Sequence, residues 1–117
     1  PIVLVGSSYS ASLALLIAKD NPKVRAVAAF SPGEYFDGID IQSEISGMST
    51  AVFVTSSKKE TPGVETLVSE IDPNNVTHYK PEVAGIHGSR ALWSTTKGNE
   101  AYWEAFSSFL EEHLGTK

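Results

Sequence analysis

The run Ile2-Val3-Leu4-Val5 stops at Gly6-Ser7-Ser8-Tyr9-Ser10, and a strongly apolar stretch from Ala11 to Lys19 follows at once. Four branched residues in a row read as a strand, and the apolar stretch reads as a helix. The turn between them is short, and a serine stands at its apex with small residues, Gly6 and Ser10, two positions to either side. A residue at such an apex is held in strained backbone geometry, so small neighbours are a steric requirement. Ser8 then projects from the top of the strand with the start of a helix beneath it. This order of strand, cramped bend and helix constrains the rest of the chain more than any other feature.

Three further strands are expected, each rich in branched residues and bounded by turn formers: Val24–Phe30, Ala51–Thr55 and Val76–Tyr79. Ile2–Val5, Val24–Phe30 and Ala51–Thr55 are near-continuous apolar runs, as parallel strands covered on both faces require. Helices fall between them. Ser10–Asp20 is apolar almost all round and is expected to be buried, with Asn21-Pro22 stopping it. Thr61 as cap and Pro62 at the first helical position announce a second helix, in which Val64, Leu67, Val68 and Ile71 share a face before Asp72-Pro73. The last helix is expected from Asn99 to Leu114, with Trp103, Phe106, Leu110 and Leu114 as its apolar stripe and Gly115 closing it in the position glycine favours after a helix. Between Ser31 and Ser49, Ile39, Ile41, Ile45 and Met48 suggest a short helix or a small lid over the sheet edge. Strands alternating with helices give an α/β fold: a parallel sheet of about four strands with helices on both faces.

Composition bounds the function. At 117 residues the chain is a single domain, 1–117, able to bury about 60–70% of its unfolded surface. A net charge of −5 and the lack of a basic stripe argue against nucleic acid, and no apolar run approaches the roughly 20 residues that cross a bilayer. Zero cysteines exclude disulfides, a thiol nucleophile and cysteine-ligated metal. His78, His87 and His113 are too widely spaced for a metal motif, and no cofactor is implied.

In a parallel sheet the C-terminal ends of all strands share one edge. Ser8 follows the first strand, Glu60 the third, in Ser56-Ser57-Lys58-Lys59-Glu60, and His87 the fourth, in Ala84-Gly85-Ile86-His87-Gly88. A serine hydroxyl is a poor nucleophile until a base removes its proton, and imidazole titrates in the range that allows this near neutral pH. His87 is therefore the candidate base and Glu60 the candidate acid that orients it. Glu34, just past the second strand, is the rival acid. Gly85 and Gly88 let the histidine loop turn inward, and the N–H of Tyr9 is one candidate donor to a developing oxyanion. Tyr35, Phe36 and Trp93 are candidate substrate-contacting aromatics, with core filling as the competing role.

The elbow, the order serine, acid, histidine, and the closing helix resemble the C-terminal half of the α/β-hydrolase superfamily, over essentially the whole chain. Gly6-Ser7-Ser8-Tyr9-Ser10 and Ile86-His87-Gly88-Ser89 are most similar to small esterases near dienelactone hydrolase. The resemblance implies a serine esterase or related hydrolase, with Ser8, Glu60 and His87 as nucleophile, acid and base. It also implies that the N-terminal strands, including the loop giving the second oxyanion donor, are missing. Two departures stand out: Ser10 replaces the usual glycine, and the acid is glutamate where aspartate is commoner.

A carboxylic ester, lactone or thioester is the expected substrate. Competing expectations are a non-catalytic or incomplete member of the fold, and a phosphate- or phosphosugar-binding domain using the Gly6–Ser10 turn. An unpaired first strand would favour a homodimer, or association with a missing N-terminal half.

Overall fold

A computed structural model describes residues 2–115 of the chain. Four strands, β1 (Ile2–Ser7), β2 (Val24–Phe30), β3 (Ala51–Thr55) and β4 (Val76–Tyr79), form one sheet in the order β1-β2-β3-β4, all parallel. Helix α1 (Tyr9–Lys19) follows β1, the short α2 (Ile41–Glu44) follows β2, α3 (Thr61–Leu67) follows β3, and α4 (Asn99–Leu114) closes the fold. The α/β class with helices on both faces is as expected.

Alternation within the strands divides the core in two. Val27, Ala29, Val52 and Val54 face the layer of α1, α2 and α3, where Leu15, Ile41, Ile45, Val64 and Leu67 cover them. Ala26, Ala28, Phe30 and Phe53 face α4, and Phe106 and Phe109 complete that side. Phe53 sits among the rings of Phe30, Phe106 and Phe109 at centroid distances of 5.9, 5.8 and 5.5 Å. Truncating such a fully buried aromatic typically costs about 3–5 kcal/mol.

Several sequence expectations change. Helix α1 is not buried all round: Leu13 and Ile17 lie exposed, because the sheet and α2 cover only its inner side and its outer face meets solvent. The buried stripe of α4 is Tyr102, Phe106 and Phe109, while Trp103 and Leu114 are exposed, so the packed face is rotated from the expected one. Gly115 does close α4 as its C-cap, with φ −43° and ψ 138°. Thr61 is already helical, and the helix entry is instead a 3₁₀ turn over Lys58–Glu60 with Ser57 at its start. Helix α3 ends at Leu67, although Val68 and Ile71 remain buried. Of the two forms expected for the segment after β2, the short helix is present as α2 and the lid is not: Ile41, Ile45 and Met48 are core residues, while Ile39 stays outside. Strand β1 lies at the sheet edge with Ile2 and Val5 exposed.

Register fixes what meets what. Ser7 pairs with Phe30, Phe30 with Thr55, and Thr55 with Tyr79, so all four strands finish level. Ser8, Ser31, Ser56 and Lys80 are the first residues past that common edge.

Candidate active site

Ser8 has φ 59° and ψ −120°, outside the regions open to a residue with a Cβ. The bend is fastened on both sides. The Ser8 N–H continues the ladder to Phe30 O at 2.8 Å. Ser10 Oγ accepts from Ser7 N–H (2.8 Å) and donates to Ser7 O (2.9 Å), so the serine standing where glycine was anticipated braces the turn. Helix α1 passes directly over Gly6, where an added Cβ would collide with the Ser10 carbonyl and lie 2.8 Å from Ala11 Cα. The Ser8 side chain makes no helix-capping bond and is free to point elsewhere.

It points at His87. Ser8 Oγ lies 2.8 Å from His87 Nε2, and His87 Nδ1 lies 2.5 Å from Glu60 Oε2. A carboxylate only accepts, so the imidazole proton sits on Nδ1, and Nε2 is left to accept from the Ser8 hydroxyl. β1 and β4 are three strand spacings apart, about 14 Å. The long loop after β4 is what carries His87 back across that distance. Gly88, with φ 74°, makes the final bend, and a Cβ there would stand 2.6 Å from Ser7 Oγ. That hydroxyl accepts from Ser89 N–H at 2.8 Å, which seats the histidine loop on the elbow.

Glu60 is held by its own turn and by one outside residue. Its Oε1 accepts from Ser57 N–H (3.1 Å), Ser57 Oγ (3.0 Å) and Ser31 Oγ (2.8 Å). Burial works against the charge, but the hydrogen bonds with His87, Ser31 and Ser57 outweigh it, and Glu60 titrates below the ordinary carboxylate range. The glutamate thus stays ionised beside the imidazole. Glu34, the rival, is occupied elsewhere: its carboxylate accepts from Ile41 N–H (2.7 Å) and Gln42 N–H (3.0 Å) at the start of α2.

Tyr9 opens α1, and among the described residues its N–H has no hydrogen-bond acceptor, as for any first-turn donor. Phe36 meets the Tyr9 ring edge-on at 4.5 Å, beside the elbow. Tyr35 donates its hydroxyl to Ser31 O at 2.9 Å. Trp93 is exposed, with the Arg90 guanidinium 4.9 Å from its ring centre.

Sequence reasoning overlooked the supporting serines. Ser57 was findable, since Ser-x-x-Glu before a helix is a capping-box signature. Ser31 had only one signal, its place first past β2, level with Ser8. Comparison with protein-family models and with curated proteins yields no match to this chain.

Proposed function

We propose that the chain is a serine hydrolase of the α/β-hydrolase type that cleaves carboxylic esters, lactones or thioesters through an acyl-enzyme. One observation carries this reading: Ser8, His87 and Glu60 form an unbroken hydrogen-bonded series whose outer end is a hydroxyl on a strained elbow. A solvated loop histidine has no reason to bond both a serine 79 positions away and a carboxylate 27 positions away.

The chemistry follows from the atoms. Ser8 Oγ forms a bond to the substrate carbonyl carbon as its proton passes to His87 Nε2, and the carbonyl π electrons move onto oxygen. Glu60, ionised, stabilises the imidazolium across Nδ1. The Tyr9 N–H stands at the start of α1 to donate to the oxyanion, a contribution of about 3–4 kcal/mol per donor in hydrolases of this kind. As the carbonyl re-forms, the bond to the leaving alcohol or thiol breaks, and that group takes the proton from Nε2. Water then repeats the sequence on the acyl-enzyme, its proton going to His87 and finally to Ser8. Phe36 and Tyr9, whose rings meet beside the elbow, supply apolar contacts to the substrate, with Tyr35 and Trp93 as further candidates.

A phosphate-holding turn would employ the elbow N–H groups but leave the His87–Glu60 pair without purpose. The test is a fluorophosphonate probe with the adduct located by mass. Labelling is expected on Ser8, absent in Ser8→Ala and slowed about 10²–10⁴-fold in His87→Ala. An unlabelled Ser8 in the folded wild-type protein would overturn the reading.

A further inference from the structure

We propose that Ser31 is a positioning residue whose single hydroxyl locks the acid and the base of the site into register. The inference rests on the hydrolase reading for its kinetic consequence, though not for its geometry.

Ser31 is the first residue past β2 and is 1% exposed. Its φ of 58° almost repeats the 59° of Ser8 on the neighbouring strand, and these are the two non-glycine residues at positive φ among those described. A buried serine in that region is uncommon and calls for a reason. The kink is held from both sides: Ser31 N–H donates to Thr55 O at 2.7 Å, and its carbonyl accepts the Tyr35 hydroxyl at 2.9 Å.

The kink aims the side chain between two loops. Ser31 Oγ accepts from the buried N–H of Gly88 at 2.7 Å and lies 2.8 Å from Glu60 Oε1. The hydroxyl has one proton, and the carboxylate is the partner that must receive it. Gly88 directly follows His87, so one oxygen atom grips the carboxylate and the backbone adjoining the imidazole. Glu60's remaining donors besides His87 both come from Ser57, within its own turn. Ser31 is thus the contact that refers the acid to the body of the sheet. Without it, the Glu60 turn and the histidine loop lose their shared anchor, and the Nδ1–carboxylate alignment loosens.

The experiment compares wild type, Ser31→Ala and Ser31→Gly in the full chain. Alanine removes the hydroxyl and keeps the backbone strain; glycine removes both. Thermal stability should therefore separate the variants, with glycine the more stable of the two. Fluorophosphonate labelling of Ser8, and kcat on a p-nitrophenyl ester, should fall together in both by about 10–100-fold with KM little changed. The Nδ1 proton of His87, followed by ¹⁵N-edited NMR, should shift or exchange out in both variants.

Wild-type labelling and an unchanged Nδ1 signal in both variants would overturn the proposal. So would activity that tracks stability, with Ser31→Gly restored to wild type, because that pattern marks a purely structural residue. A wild-type protein that takes no label, yet shows a Ser31-dependent Nδ1 signal, would sink the hydrolase reading and leave the positioning role standing.

Discussion

Replacing Gly6 by alanine puts a methyl group where α1 crosses β1. The new Cβ would overlap the Ser10 carbonyl oxygen, stand 2.6 Å from the carbonyl carbon and 2.8 Å from Ala11 Cα. Carbon atoms in contact prefer about 3.5–4.0 Å, so the first turn of α1 must retreat by roughly 1 Å. Every atom in the way belongs to backbone, and no side chain can swing aside. The φ of Gly6 is not positive, so the whole effect is steric. Overpacking of this kind costs about 1–3 kcal/mol, and the rigid surroundings put Gly6→Ala near the upper end. Near 4 °C per kcal/mol for a domain this size, the midpoint should drop by about 12 °C. The retreat also carries Ser8 and the Tyr9 N–H with it, and a displacement of about 1 Å can reduce rate about 10²-fold. Gly63→Ala is the control. It lies in α3, where an added Cβ meets nothing within 4 Å, and alanine should stabilise by about 0.5–1 kcal/mol. Thermal denaturation and Ser8 labelling, run on both variants, read the two effects. If Gly6→Ala matched wild type in stability and labelling, the close crossing that defines the elbow would be refuted.

The choice of acid is separable by the same probe. Glu34→Ala should cost about 1 kcal/mol by uncapping α2 yet leave Ser8 labelling at the wild-type rate, whereas Glu60→Gln should slow labelling about 10²–10⁴-fold. A slowed Glu34→Ala with an unaffected Glu60→Gln would exchange their roles. Burial pushes the Tyr102 phenol up to about 12, while its hydroxyl donates to Ser56 O at 2.7 Å. Between pH 10 and about 12 the unfolded chain has released that proton and the folded chain has not, so stability present below pH 10 declines across this window. Urea midpoints at pH 9 and 11 should fall more in wild type than in Tyr102→Phe; equal slopes would contradict the assignment.

The strands and the elbow were legible because they depend on short-range pattern: branched runs, a turn with small flanks, and the order in which polar residues leave the sheet edge. The Ser8, Glu60 and His87 juxtaposition was legible for the same reason, since level parallel strands deliver their loops to one place. The face of α4 was not. The stripe through Trp103 and Leu114 is as regular as the one through Tyr102 and Phe109, and the choice is made by partners distant in sequence: Ser56 O and Tyr79 for Tyr102, Phe53 for Phe109. Thr61 lost the capping role to Ser57 because an extra 3₁₀ turn moved the entry point upstream. Ser31 escaped notice because its meaning lies in a backbone angle and in partners 29 and 57 positions away.

The segment that carries His87 has little of its own to keep it in place. Between β4 and α4 the regular structure is one short 3₁₀ turn over Gly88–Leu92, and the segment is moored by the Gly88 and Ser89 amides, by Lys58 N–H to Ala84 O, and by Trp103 Nε1–H to Leu92 O. Leu92 adds an apolar contact to the α4-side layer, whereas the layer of α1, α2 and α3 includes no residue of this segment. Gentle heating should therefore silence the chain before it melts it: the imidazole drifts off while circular dichroism still reports an intact scaffold, and cooling brings it home.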